Sequence, residues 1–201
     1  CIDREFWKWQ QYPDESPTGI DVHCTEPYIL ADDFLCEAPG RLTSIRIWGS
    51  WLEDYLPFGD DPLAVDFTLS IHEDIPAGTG GIPYSRPGEV LWARDFPAHD
   101  PGWPFTADVW LDGVEEGWLA PPDDFTFPAD WTIWMYSFEV PPEEVGVWAE
   151  DDLNLKIKSQ VPWPPMPARS RPARCVAQTG LRNTISCSEL SSDSGHGRSI
   201  G

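Results

Sequence analysis

The sequence predicts an all-β fold, an antiparallel β-sandwich with jelly-roll or immunoglobulin-like layering, followed by a disordered C-terminal tail. Three observations predict it. Sixteen glycines and 22 prolines divide the 201 residues into pieces of strand length, and proline in particular is unfavourable inside helices. Apolar and polar residues alternate with a period of two in the clearest of these pieces. The composition then changes abruptly after Ser159.

The predicted strands are the stretches that lack glycine and proline. In chain order they are Tyr28–Ala38, Arg41–Trp48, Leu63–Ile75, Glu89–Phe96, Phe105–Asp112, Ala129–Val140 and Val147–Val161. Short strands at intervals of about 10 to 20 residues, with turn-forming residues between them, are typical of an antiparallel sandwich.

Alternation within these stretches assigns side chains to faces. Apolar residues hold the odd positions of 65–72, and polar residues hold the even ones, which predicts one buried and one solvent-exposed face. In 45–48 the odd positions are isoleucines, and the even positions are Arg46 and Trp48. The stretch 133–140 is apolar on much of both faces, as expected of a central strand covered by a second layer.

The charge divides the chain into two parts. Residues 1–152 contain 6 basic and 32 acidic residues, whereas residues 153–201 contain 7 basic and 2 acidic ones. We therefore predict a sandwich domain over residues 1–159 and a flexible tail, rich in proline, arginine and serine, over residues 160–201. Such a composition buries too little apolar area to offset the entropy of ordering. A basic tail that docks on the acidic domain is the alternative.

The formal net charge of −21 argues against nucleic-acid partners and against anionic membrane surfaces, because their phosphates would be repelled. No apolar run approaches the ~18 residues that a membrane-spanning helix needs. We therefore expect no nucleic-acid partner and no membrane span.

Five cysteines leave the redox state open. Cys24 and Cys36 could form a disulfide between neighbouring strands, but their spacing does not establish that their Cα atoms are close enough. The chain begins with Cys1, so we expect a fragment or a processed form whose signal peptide is not part of this chain.

Acidic doublets occur throughout the sequence, which is typical of a solvated acidic surface. Two of them lie in turns, at Gly59–Pro62 and Pro122–Asp124, where their oxygens could bind calcium. Neither EF-hand spacing nor zinc-type spacing of cysteine and histidine accompanies them. We expect no cofactor, no metal ligands and no catalytic residues, with calcium as the alternative. If the protein is a hydrolase, Glu73 and Asp95 are the candidate acid or base.

Tryptophan is unusually abundant in this chain, with twelve residues. Trp48 shares a strand face with Arg46, and the Gly49-Ser50 pair could bend the strand before Trp51. Indole rings stack on the apolar C–H faces of sugars while polar neighbours bind the hydroxyl groups. We therefore predict a ligand-binding surface of Trp48 and Trp51 with Arg46 as the polar partner. The alternative is that a second layer or a partner covers both rings.

Several longer motifs carry a family resemblance. ADDFLC at 31–36, TSIRIWGSWLED at 43–54, FTLSIHEDIPAG at 67–78 and YSRPGEVLWARDF at 84–96 resemble an uncharacterised bacterial domain family found in secreted multidomain proteins. The resemblance covers about Trp9 to Val147 and implies an extracellular β-rich module without an assigned activity. After about Ile157 the chain departs from the family pattern, in which another aromatic-rich strand and a glycine-tryptophan motif follow.

Together these observations predict a non-catalytic module, located outside the cell or on its surface, that binds carbohydrate or takes part in cell-surface interactions, with a polysaccharide or a cell-surface glycan as the expected ligand. Its other expected partners are further domains of a larger secreted protein. Two alternatives belong to different functional classes: a carbohydrate-active hydrolase that uses an Asp/Glu pair, and a purely structural spacer.

Overall fold

A computed structural model describes residues 6–7, 11–25, 27–35, 42–102, 104–141, 152–160, 175–178 and 186–189. Side chains are described for residues 11–25, 27–32, 42–102 and 104–141.

Most of the described residues lie in strands. In chain order the strands are β1 (Phe6–Trp7), β2 (Ile20–His23), β3 (Leu30–Leu35), β4 (Ser44–Trp51), β5 (Asp66–Ile75), β6 (Arg86–Phe96), β7 (Phe105–Ala120), β8 (Asp124–Glu139), β9 (Asp152–Gln160), β10 (Cys175–Gln178) and β11 (Ser186–Glu189). Single helical turns lie at Leu52–Asp54, Pro57–Asp60 and Thr79–Gly81. The predicted all-β class is confirmed.

The strands form two sheets. The larger has the order β1-β11-β4-β10-β2-β7-β8, and β4 also pairs with β8, so that this sheet closes on itself. The smaller has the order β3-β9-β5-β6. The pairing is antiparallel as predicted, except that β2 runs parallel to β7, with Asp21 opposite Trp118.

The main core lies between the two sheets, and the period-two pattern predicted much of it. Phe67 and Leu69 of β5 are buried opposite Ile45 and Ile47 of β4. The Phe67 ring lies 5.0–5.5 Å from three rings of the other sheet, those of Phe105, Tyr136 and Phe138. Aromatic contacts at these spacings stabilise a sandwich beyond the area that they bury.

The β7–β8 hairpin is much longer than the glycine and proline pattern predicts. β7 continues from Asp112 through Gly113, which has a positive φ of 82°, and its register against β8 shifts between Asp112 and Glu116. Glycine adopts this left-handed conformation without a steric cost, so the strand bulges here instead of ending. The part of β7 that follows this bulge pairs with β2.

Two parts of the predicted tail over residues 160–201 are described. β10 pairs with β2 and with β4, and β11 pairs with β1 and with β4. The remainder of the tail lies outside the described residues, as does Cys36, so the Cys24–Cys36 disulfide stays a prediction. No helix within the described part of the chain is long and apolar enough to span a bilayer.

One hydrogen bond in the core gives a direct test of this packing. Trp51 Nε1 donates to Tyr136 Oη at 2.9 Å, and both residues are fully buried. Tyr136→Phe removes the acceptor and leaves the indole N–H unpaired, so we expect the free energy of unfolding in urea to fall by about 1–3 kcal/mol. Tyr84→Phe is the matched control, because Tyr84 is 66% exposed and should change stability by less than about 0.5 kcal/mol. Equal effects of the two substitutions would contradict the assignment.

Candidate functional site

Trp48 and Trp51 do not form the exposed pair that the sequence predicts. β4 continues without a bend through Gly49 and Ser50 to Trp51, so two residues three positions apart point to opposite faces. Trp51 joins the sandwich core with Ile47, at 0% exposure. Trp48 lies on the opposite face and is 4% exposed. The expectation of an accessible platform at these two rings is therefore corrected.

Arg46 shares the strand face of Trp48, as predicted, and is half-buried. In register it lies opposite Ser137 of β8 and Ser186 of β11. It therefore sits between neighbouring strands of the large sheet and is not at a free edge.

An aromatic cluster covers Trp48. The Tyr12 ring stacks on Trp110 with a centroid distance of 5.7 Å and an angle of 16°. Both rings meet Trp48 edge-on, Tyr12 at 6.2 Å and Trp110 at 5.5 Å. Tyr12 is 54% exposed, so its ring is available to a ligand. The Trp110 ring, which stacks on it, supports it from behind.

The aromatic cluster borders an open depression of about 400 Å³, lined by residues 12–15 and Trp110. Glu15 Oε1 accepts a hydrogen bond of 2.8 Å from Trp110 Nε1. Asp14 Oδ1 accepts one of 3.0 Å from the Ser16 amide, and hydrogen bonds from Ser16 hold the pKa of Asp14 below its usual value. The depression thus combines an exposed ring with two carboxylates that act as hydrogen-bond acceptors.

A second polar feature lies where the large sheet closes on itself. Asp21 of β2, Glu116 of β7 and Asp130 of β8 are all 0% exposed. Each offers a carboxylate oxygen, and these oxygens lie within 4.8 Å of one another. Glu116 and Asp130 are direct cross-strand partners, a position in which two like charges destabilise a sheet. We call these three residues the acidic centre.

Burial dominates the electrostatics of the acidic centre. It holds the pKa of Asp21 well above its usual value, and the charges of Asp130 and Glu116 add to the effect. Burial also raises the pKa of Asp130 to about 7, with the charge of Asp54 adding to it. A carboxylic acid in a medium that solvates charge poorly keeps its proton to a higher pH.

Two neighbouring residues position the acidic centre. Asp54 adopts a left-handed conformation with a φ of 54°, and its Oδ1 accepts from the amides of Trp131 and Thr132 at 3.2 and 3.0 Å. These hydrogen bonds connect the helical turn that follows β4 with strand β8, next to Asp130. Gly19 fits against Glu116 so closely that an added Cβ would lie 2.6 Å from Glu116 Oε1.

The acids that the sequence singled out lie elsewhere. Glu73 of β5 and Asp95 of β6 are both exposed. In register Asp95 lies opposite Thr68, five residues before Glu73. At about 3.3 Å per residue this places them about 17 Å apart along the sheet, beyond the ~5–9.5 Å of glycosidase acid pairs. They do not form a pair with each other.

The doublets proposed for calcium lie in or next to turns: Asp60 ends a helical turn, Asp123 lies in a turn, and Asp124 is the first residue of β8. Asp60, Asp123 and Asp124 are exposed. Asp61 accepts from the Leu63 amide at 2.9 Å and pairs with His99 at 2.8 Å. None of these four belongs to a group of metal-competent side chains within the described residues, where only the acidic centre qualifies.

The sequence matches a family described as a domain of unknown function, DUF7901, over residues 7–180. The chain belongs to this family. The match confirms an uncharacterised domain family and extends beyond the segment on which the motif resemblance rests. No curated protein and no solved structure matches the chain.

The acidic centre should make the stability of this DUF7901 domain depend on pH when metal ions are chelated. Between about pH 4 and pH 7 the folded state keeps protons that the unfolded chain has released, so stability falls as the pH rises through this window. With EDTA present, we expect the free energy of unfolding to drop by about 3 kcal/mol. His23, two residues after Asp21 in β2, and Asp54 are the ionisable neighbours.

Denaturant unfolding at several pH values measures this dependence. Asp130→Asn should remove much of the fall, because the amide carries no titrating proton. Asp123→Asn, at an exposed turn, should leave the pH dependence of the wild type unchanged. A wild type whose stability is flat from pH 4 to pH 7 would contradict the assignment.

Proposed function

We propose that this domain is a non-catalytic binding module whose aromatic cluster binds a neutral saccharide. The observation that supports it is the exposed Tyr12 ring, which lies nearly parallel to Trp110 at the edge of an open depression. Rings in this arrangement offer a flat apolar surface of the kind that stacks on the C–H face of a sugar.

The polar groups beside the ring favour the same class of ligand. Asp14 and Glu15 line the depression, and carboxylates accept hydrogen bonds from sugar hydroxyl groups. An anionic glycan would be repelled by these two groups and by the net charge of −21. A neutral polysaccharide therefore fits the depression better than a polyuronate or a sulfated chain.

We further propose that the domain acts outside the cell or at its surface, as one part of a larger secreted protein. Support comes from the resemblance to domains of secreted multidomain proteins and from the acidic composition.

A structural spacer is the second candidate function. None of the tryptophans whose side chains the structure describes is exposed, and Trp48, Trp51, Trp92 and Trp118 are buried. Such burial favours a role in which the rings only hold the fold. The hydrolase alternative is less well supported, since the exposed acids are dispersed and the acidic centre has no surface that a polysaccharide could reach.

Tyr12→Ala tests the saccharide proposal and leaves in place all the tryptophans that report on binding. Intrinsic fluorescence of the full chain is followed during titration with a soluble β-glucan, a xylan and a mannan, with a polyuronate for comparison. We expect one neutral polysaccharide to shift the wild-type emission saturably. Loss of one stacked ring should weaken binding about tenfold.

Tyr84→Ala provides the matched control for that titration, because Tyr84 is 66% exposed and lies outside the aromatic cluster. It should bind as tightly as the wild type. If no polysaccharide changes the emission, with or without calcium, the spacer replaces the binding module. If both alanine variants lose binding equally, the aromatic cluster is not the binding surface.

A further inference from the structure

Among the residues that the structure describes, no buried lysine or arginine lies at the acidic centre. The acidic side chains and histidines that are buried in this part of the chain are Asp21, His23, His72, Glu116 and Asp130. A buried carboxylate is costly unless it is protonated, paired or bound to a metal. Asp21 of β2 and Asp130 of β8, which lie at one point with Glu116 of β7, therefore need such compensation.

A buried hydroxyl beside the carboxylates is an independent indication of a ligand. Ser50 of β4 is 0% exposed and lies next to both Asp21 and Asp130. Its Oγ makes no hydrogen bond of ordinary geometry, and the same holds for both carboxylate oxygens of Asp21 and of Asp130. Buried polar atoms in folded proteins are nearly always satisfied. Packing of apolar side chains alone would not bring the polar oxygen atoms of four strands to one point.

We propose that Asp21, Glu116 and Asp130, together with Ser50, bind one calcium ion. Each carboxylate can bind through one or both oxygens, so the three carboxylates and the hydroxyl supply four to seven oxygen ligands, and calcium takes about six to eight in flexible geometry. Magnesium fits less well, because it retains several waters and these side chains are completely buried. Zinc prefers nitrogen and sulfur ligands, and the ligand atoms here are oxygens.

A calcium ion at this position would connect β2, β4, β7 and β8, the strands through which the large sheet closes. It would also fix the segment before β2, because Gly19 lies against Glu116 and the Gly117 amide donates to the Gly19 carbonyl at 3.0 Å. That segment carries Tyr12. The calcium proposal nevertheless stands independently of the saccharide proposal, since bound metal and unfolding temperature are its readouts.

The experiment uses the full chain after removal of metal with EDTA. Equilibrium dialysis against calcium chloride measures bound calcium, and calorimetry measures the unfolding temperature, with magnesium chloride and zinc chloride in parallel. We expect one calcium per chain. At calcium about a hundredfold above Kd, the unfolding temperature should rise by about 5–10 °C, and magnesium should give a smaller shift.

Three substitutions separate coordination from general electrostatics. Asp21→Asn and Asp130→Asn each remove one charge while keeping the shape. In EDTA they should unfold at or above the wild-type temperature, because like-charge repulsion is reduced, and they should bind calcium at least tenfold more weakly. Ser50→Ala changes no charge, so a several-fold loss of calcium affinity in this variant reports on a ligand atom.

Asp60→Asn and Asp123→Asn, at the exposed turns, are the matched controls and should bind calcium like the wild type. The proposal is overturned if the wild type binds no calcium at about 5 mM, which is above the 10⁻⁴–10⁻³ M range of weak extracellular sites. It is also overturned if calcium binding survives Asp21→Asn, Asp130→Asn and Ser50→Ala, or if the turn variants lose it instead. Near-UV circular dichroism in EDTA verifies that each variant is folded.

Discussion

Both faces of β4 are buried, and this constraint determines where the apolar core and the buried polar side chains lie. One face contributes Ile45, Ile47 and Trp51 to the core between the sheets. The other face contributes Trp48 and Ser50 to a second interior, formed where the large sheet closes. Both edges of β4 are also occupied, by β8 on one side and by β10 and β11 on the other. A strand held on four sides fixes its side chains firmly, so the groups that gather around Ser50 are positioned by the fold and not by a mobile loop.

The two interiors differ in polarity: the sandwich core is mainly apolar, whereas the second interior contains carboxylates. The sandwich core contains aromatic and aliphatic side chains, and its hydrogen bond from Trp51 to Tyr136 is satisfied internally. The second interior collects the three carboxylates of the acidic centre, and within the described part of the chain no lysine or arginine is buried beside them. Segment 11–19 covers one end of it and exposes Tyr12 to solvent. A stable apolar core can thus support a neighbouring interior that is unfavourable by itself, provided that something neutralises its charge.

The sequence predicted those parts of the fold that depend on local pattern. Alternation along 65–71 identified the inward face of β5, because side chains of a strand alternate regardless of its neighbours. The prediction for Trp51 was wrong because Gly49-Ser50 permits a bend without requiring one. The acidic centre was missed because Asp21, Glu116 and Asp130 are far apart in the chain and meet only through strand pairing. One local signal existed: in β2 the polar Asp21 and His23 are buried, while Ile20 and Val22 are only half-buried, the reverse of an ordinary amphipathic strand.

The chemistry of the acidic centre also relates the proposed calcium ion to the proposed extracellular location of the domain. Weak calcium sites of extracellular modules have dissociation constants of about 10⁻⁴–10⁻³ M, whereas cytosolic sites must bind far more tightly. The carboxylates of such a centre must lose their protons and stay close together when the ion binds. Both requirements reduce the net free energy of calcium binding and so weaken the affinity. Such a site would be filled where calcium is abundant and would otherwise hold protons. The proposed ion would then stabilise the strands that carry Glu116 and Asp130 most strongly outside the cell, where the proposed glycan-binding module would meet its ligand.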